Sequence, residues 1–264
     1  MALKRLALIV LLINSGASLG CQRTKTPTLL IATDAAFAPF HYLDEAGNPT
    51  GHDIELARQV AIRAGYEPQF VVVSPYRDLF TGLVAGDFDM IAATTGITPK
   101  RQEIYLYSEP YFTTCQAAIV RRGDDEPKSL SNLRNKPIAA PAGTSSVAAA
   151  NTLQPQTIQQ VAGSAEGLAA LLTQVDGDYA ATAYICDEFE AVKLANENER
   201  LTVLPEPVLL ERYGFVMRLE DVALKKQIDK ALQALAIERI TYKLRSHFGL
   251  ERPKDWPIKF SNNK

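Results

Sequence analysis

Reactive side chains are scarce in this 264-residue chain, which has three cysteines, three histidines and one tryptophan. So few histidines give little material for a Ser/His/Asp arrangement. Charge of one sign is missing too. The formal net charge is -2 with no basic excess, which argues against nucleic acid as a partner. Beyond the first twenty residues no segment is long and apolar enough to cross a bilayer. What is present is a chain that is 47% hydrophobic, enough to bury a large core as one big domain or as two lobes.

The N-terminus reads as an export signal spanning residues 1–20. Lys4 and Arg5 form its positive start, Leu6 to Ile13 its apolar run, and Ser15, Gly16, Ala17, Ser18 and Gly20 its small-residue end. Its removal leaves the remainder two charges more negative. Cys21 stands where a bacterial lipoprotein signal places its acylated cysteine. Gly20 fits that pattern, whereas Ser18 stands at the usual leucine position, and ordinary cleavage after Gly20 or Ala17 is the competing reading. Residues 21–27 are polar with a proline and read as a tether. Export permits a disulfide between the other two cysteines, Cys115 and Cys186; two buried thiols are the alternative.

Along the rest of the chain, β-type runs alternate with helical patterns. Thr28 to Thr33 ends at Asp34, and a helix starts near Asp53 and stops at Gly65. Met90 to Ala93 ends at Thr94, Thr95 and Gly96. Lys136 to Ala140 leads to Gly143, Thr144 and Ser145, and Thr182 to Cys186 leads to Asp187. Alternation of this kind implies parallel pairing in an α/β layer. Two such series, joined by extended segments, predict two lobes with a cleft between them. The boundaries fall at 28–112 for the first part of lobe 1, 113–208 for lobe 2 and 209–264 for the second part of lobe 1.

Ligands in open α/β sheets bind outside the carboxyl ends of strands, and that rule selects Asp34, Thr94 to Gly96, Gly143 to Ser145, and Asp187. Arg101 follows one of these strand ends after the turn Ile97-Thr98-Pro99. A guanidinium beside backbone donors and hydroxyls suits a small carboxylate, because its planar fork matches the anion with two parallel bonds. No nucleophile with an adjacent base and no metal cluster occurs in that stretch.

These residues, in this order, resemble the solute-binding proteins of polar amino-acid ABC importers, periplasmic binding protein family 3. The matching segments are Ala32-Thr33-Asp34 with Phe37-Ala38-Pro39-Phe40, Gly51-His52-Asp53-Ile54, and Gly86-Asp87-Phe88-Asp89. Ile97-Thr98-Pro99-Lys100-Arg101, Ser108-Glu109-Pro110-Tyr111, Ala142-Gly143-Thr144-Ser145 and Asp187-Glu188 complete the series. The resemblance implies a two-lobed α/β fold with two hinge segments and no cofactor. It also implies delivery of a polar amino acid to a membrane permease by closure of the lobes. By the same resemblance, Arg101, with Thr144 and Ser145, holds the ligand α-carboxylate. Asp187 and the Thr94 carbonyl hold its α-ammonium, Phe37 and Tyr76 sandwich its side chain, and Asp34 contacts that side chain's polar end. Two aromatic faces and one carboxylate suit arginine, lysine or histidine, or glutamine through hydrogen bonds.

There are departures. Gly96 stands where the family usually has Ser or Thr, a hydroxyl that helps hold the ligand. Strand alternation points Thr95 the other way. His52 replaces a common aromatic, Thr182 a common Asp, and the loop Gln174 to Tyr179 is long. Two other functions compete. One is an enzyme of the cyclohexadienyl dehydratase type, for which Glu188 and His41 offer acid–base groups without a matching motif. The other is a sensing module acting with a membrane partner.

Overall fold

A computed structural model describes residues 26–123 and 125–260. The signal at 1–20, Cys21 and most of the tether lie outside the described residues.

Two sheets organise the chain. The first has five strands in the order Glu67–Val72, Thr28–Thr33, Met90–Ile91, Val216–Arg218 and Tyr105–Tyr107. Its Thr28–Thr33 strand pairs in parallel with both neighbours, as expected from the strand–helix alternation. The second runs Thr157–Val161, Pro137–Pro141, Ala183–Asp187, Phe112–Arg121, Leu201–Val203, and Leu209–Tyr213 also pairs with Phe112–Arg121. Alternation along the strands splits each sheet's core into two faces. Leu29, Ile31 and Met90 pack under the helices His52–Arg63 and Val222–Ile237, whereas Ala32 and Ile91 pack with Leu79 and Leu83 of the helix Asp78–Ala85. In the second sheet Cys115, Ala117 and Ile119 face one cluster, and Ala118 and Val120 the other.

Two chain segments, 108–111 and 214–215, connect the sheets, and they are tied to each other. Ser108 N donates to Phe215 O at 2.8 Å, Phe215 N to Ser108 Oγ at 2.9 Å, and Tyr111 N to Tyr213 O at 3.0 Å. The second crossing therefore falls later than residue 208. Leu209–Tyr213 reads in the sequence as a connection, yet it forms five pairs with Phe112–Gln116 on the second sheet. The chain end also departs from the sequence boundary. Past the helix Ile240–His247 it returns to the second sheet's core, where Ile258 is buried and Trp256 and Phe260 pack against the same cluster.

Cys115 and Cys186, the two cysteines among the described residues, are both buried and free. Cys186 lies opposite Ala117, so Cys115 is its diagonal neighbour across the strand pair. Diagonal Cα atoms stand about 7–8 Å apart, outside the range a disulfide bridges. The thiols act instead as small apolar residues, and burial pushes both upward in pKa. The long segment Gln174 to Tyr179 is a two-stranded hairpin turned at Asp176-Gly177, and Tyr179 lies under the Arg121 guanidinium at 3.9 Å.

Candidate functional site

The strand ends selected from the sequence meet around one cavity of about 350 Å³ between the two sheets. Asp34, Phe37, Tyr76, Thr94, Gly96, Thr144, Ser145 and Asp187 all line it. Thr95 and Arg101 are not among its lining residues: Thr95 is fully buried, with its hydroxyl 3.4 Å from Ala93 O and 3.5 Å from the hydroxyl of the lining residue Tyr76.

On the first sheet's side a small antiparallel sheet, Ala36–Phe37, His41–Leu43 and Pro49–Thr50, frames the wall. His41 links two site residues. Its Nδ1 lies 3.1 Å from Asp34 Oδ1, and its Nε2 lies 3.0 Å from Thr94 Oγ1. Thr94 sits in the left-handed region at φ 42°, a costly conformation for a β-branched residue. Buried Asp53 holds it there, accepting from Thr94 N at 2.8 Å and from the Tyr111 hydroxyl at 2.6 Å. Asp53 is placed by Gly51, at φ 117°, where a Cβ would fall 2.4 Å from Phe40 O. Phe37 serves both readings of an aromatic here, stacking on Phe40 at 5.2 Å while its ring meets the cavity.

Arg101 spans the two sides. The Thr98 side chain caps its short helix, and its guanidinium donates to Gly96 O at 3.1 Å and to Gly143 O at 3.2 Å. Gly96 belongs to the first sheet's side and Gly143 follows the Pro137–Pro141 strand of the second.

On the second sheet's side the helix Ser145–Thr152 opens toward the cavity. Its cap, Thr144, accepts from Ser146 N at 3.2 Å and donates to Pro141 O at 2.8 Å, so its hydroxyl is already engaged. Gln116 joins this turn to the rest of the wall, accepting from Ser146 Oγ at 2.7 Å and donating to Glu211 Oε2 at 2.6 Å. Asp187 combines two roles. Its Oδ1 accepts from Phe189 N at 2.8 Å as a helix cap, and its Oδ2 accepts from Thr114 at 2.8 Å and from the Tyr213 hydroxyl. Burial pushes the Asp187 carboxyl up to about 7, with Glu188 adding to the rise and those hydrogen bonds opposing it. Adjacent Glu188 is fully buried and faces away, held by Arg252, by Trp256 Nε1 at 2.8 Å and by Thr114 at 2.9 Å.

His41, which the sequence offered only as an acid–base group for the enzyme alternative, lines the cavity, and among the lining residues that escape sequence reading are Gln116, Glu190, Lys193 and Glu211. Gln116 and Glu211 sit mid-strand, where polar residues signal nothing by themselves. The one trace of Glu211 is Gly96. A Cβ at that glycine would fall 1.6 Å from Glu211 Oε1, so the missing side chain marks the place the carboxylate fills.

Known proteins agree with this architecture. An amino-acid-binding protein from Dichelobacter nodosus is 30% identical over 84% of this chain and 87% of its own length. An ancestral arginine-binding protein bound to glutamine superposes with a TM-score of 0.73 at 26% identity, over 86% of this chain and 100% of that one. The arginine-, lysine-, histidine-binding protein of Geobacillus stearothermophilus gives 0.72 at 26% identity, over 86% and 97%. The model of the bacterial extracellular solute-binding proteins, family 3, matches residues 29–249, and the chain belongs to that family.

Proposed function

We propose that the protein is the extracytoplasmic component of an ABC importer and binds a polar amino acid, either a cationic one or glutamine, by closure of its two lobes. The observation that carries this is the convergence of four strand ends, from two sheets, on one cavity with Arg101 joined to both sides. A ligand that touches both walls favours the closed arrangement by those contacts, and two short connections let the walls move as bodies. In this reading the α-carboxylate lies between Arg101 and the Thr144–Ser145 turn, where helix N–H groups add a favourable dipole. The ammonium lies at Asp187 and the Thr94 carbonyl. The side chain runs between Phe37 and Tyr76 toward Asp34.

The partner is a membrane permease that reads the closed lobes. Export by residues 1–20 and a lipid anchor at Cys21 place the protein in the periplasm or on the outer face of the membrane. Cys21→Ser should release it from membranes while leaving ligand binding intact.

The test is a thermal-shift screen of residues 22–264 against the twenty amino acids and prephenate. Ligand at 100 times its dissociation constant adds about 2.7 kcal/mol, a readily seen rise in melting temperature. A rise with one or a few polar amino acids supports the reading. A flat response to all of them, or turnover of prephenate, sinks it.

A further inference from the structure

Glu211 is a carboxylate in a place built for one. It is 6% exposed, it lines the cavity, and it stands beside the Ser145 turn and within the field of Arg101. Those are the groups assigned above to the ligand carboxylate. Its two oxygens are unequal. Oε2 accepts from Gln116 Nε2 at 2.6 Å, whereas Oε1 is buried with no hydrogen-bond partner. An orphaned carboxylate oxygen is costly unless a bound group or a proton satisfies it.

The position of Oε1 gives its role. The strand Leu209–Tyr213 bridges to the first sheet at Gly96, with Ile97 N donating to Arg212 O at 2.9 Å and Gly214 N to Thr95 O at 3.2 Å. This contact sets Glu211 against Gly96, and Oε1 lies 1.6 Å from where a Cβ of residue 96 would be. The oxygen of Glu211 thus occupies the space that a side chain at position 96 would take.

We propose that Glu211 replaces the hydroxyl absent at Gly96 and binds the ligand carboxylate as a protonated side chain, Oε1–H donating to it, so that amino acid and proton enter the cleft together. This rests on the amino-acid-binding reading above. Two carboxylates in one small site cannot both stay ionised, and one proton between them converts repulsion into a hydrogen bond. The proton comes from solvent and returns there on release.

The surroundings suit this. Burial raises the Glu211 pKa, with the nearby Ser145 hydroxyl, the bond from Gln116 and the charge of Arg101 opposing the rise. Arg101 acts on it from the first side, as do Tyr76 and Tyr107; Thr114 lies opposite it on the paired strand, Cys115 next to Thr114 points to the other face, and Tyr213 shares its face on its own strand, with Asp187 behind Tyr213. Burial holds the three tyrosines and the thiol upward, in their neutral forms. Asp187 contributes the opposite sign. An ammonium bound there displaces the proton that the Asp187 carboxyl carries below about pH 7, so uptake at Glu211 is read above that.

The experiment is calorimetry with arginine, lysine, histidine and glutamine as probes, in two buffers of different ionisation enthalpy, from about pH 5.5 to about pH 8. Ionised Glu211 must gain a proton to bind, so wild-type affinity should fall as pH rises. The fall should approach tenfold per pH unit at the alkaline end, with uptake approaching about one proton. Glu211→Gln keeps a donor at the same place and should bind with no such fall. Gly96→Ser alone should lose about tenfold or more by clashing with Glu211, and Gly96→Ser with Glu211→Ala should regain the loss without proton uptake. Equal pH dependence in wild type and Glu211→Gln overturns the proposal. So does a Glu211→Gln variant that binds nothing while wild type binds, or a double variant no better than Gly96→Ser. If no probe binds wild type at any pH, the amino-acid reading fails and takes this with it; binding without proton uptake removes this inference alone.

Discussion

The two walls of the cleft handle charge differently. On the first sheet's side Asp53 is bonded to His52 and the Thr94 amide and Arg101 to two carbonyls, while Asp34 Oδ1 and His41 Nδ1 stand 3.1 Å apart without a hydrogen bond. On the second sheet's side, together with the crossing strand, carboxylates face the cavity with no cation bound to them: Asp187, Glu190 and Glu211, each pushed upward by burial. The one carboxylate there with a strong partner, Glu188, points away from the cavity. The first wall is therefore a fixed geometry, and the second a set of groups whose charge answers to what binds.

Removing Arg101 should break this contrast most severely. Arg101→Ala takes the only described guanidinium that reaches both walls. Binding should weaken at least about a hundredfold by calorimetry, with the ligand-free melting temperature near wild type. Near-wild-type affinity would discard the carboxylate site. Next in size is Arg252→Ala, which strands Glu188 as a buried charge beside Asp187. Chemical denaturation should show a loss of about 3 kcal/mol, and Glu188→Gln in the same background should recover part of it.

The contrast sharpens with pH. Burial lifts the folded Asp187 carboxyl to about 7, well above the ordinary carboxylate range. The folded state therefore holds a proton that the unfolded chain has lost, and this contribution to stability declines as pH rises from about 4 to about 7. Asp187→Asn keeps an oxygen for the helix cap, so its melting temperature relative to wild type should climb across that window. A constant difference would mean that Asp187 is already ionised. The smallest effect belongs to the first wall. Asp34→Asn should cost a cationic ligand about tenfold and glutamine much less, because only the cationic side chain loses a charge partner. Equal losses would remove Asp34 from ligand choice.

Much of the first wall was legible in the sequence. Asp34, Thr94 and Gly96 follow strands with clear apolar patterns, and Arg101 follows a turn marked by Pro99. The second wall was legible only at its strand ends, Thr144 to Ser145 and Asp187. Gln116 lies inside a ten-residue strand, and its orientation depends on a pairing partner 95 residues away. Glu211 lies where Pro205 and Pro207 suggest a connection, and nothing local indicates that Leu209–Tyr213 lies against Phe112–Gln116. The strand Thr157–Val161 escapes notice because its burial is that of a polar edge. The return of Trp256 and Ile258 to the second core likewise depends on long-range packing.

Arg101 gives the cleft one more property. Its guanidinium already serves the carbonyls of Gly96 and Gly143, one on each wall. A carboxylate arriving there exchanges partners with these two oxygens, and only the difference between the two sets of bonds counts toward affinity. If Arg101 grips the ligand as proposed, the same arginine is also a clasp between the lobes, and tightness of grip and ease of release are set by one side chain. A shorter or weaker cation at this position would loosen both at once.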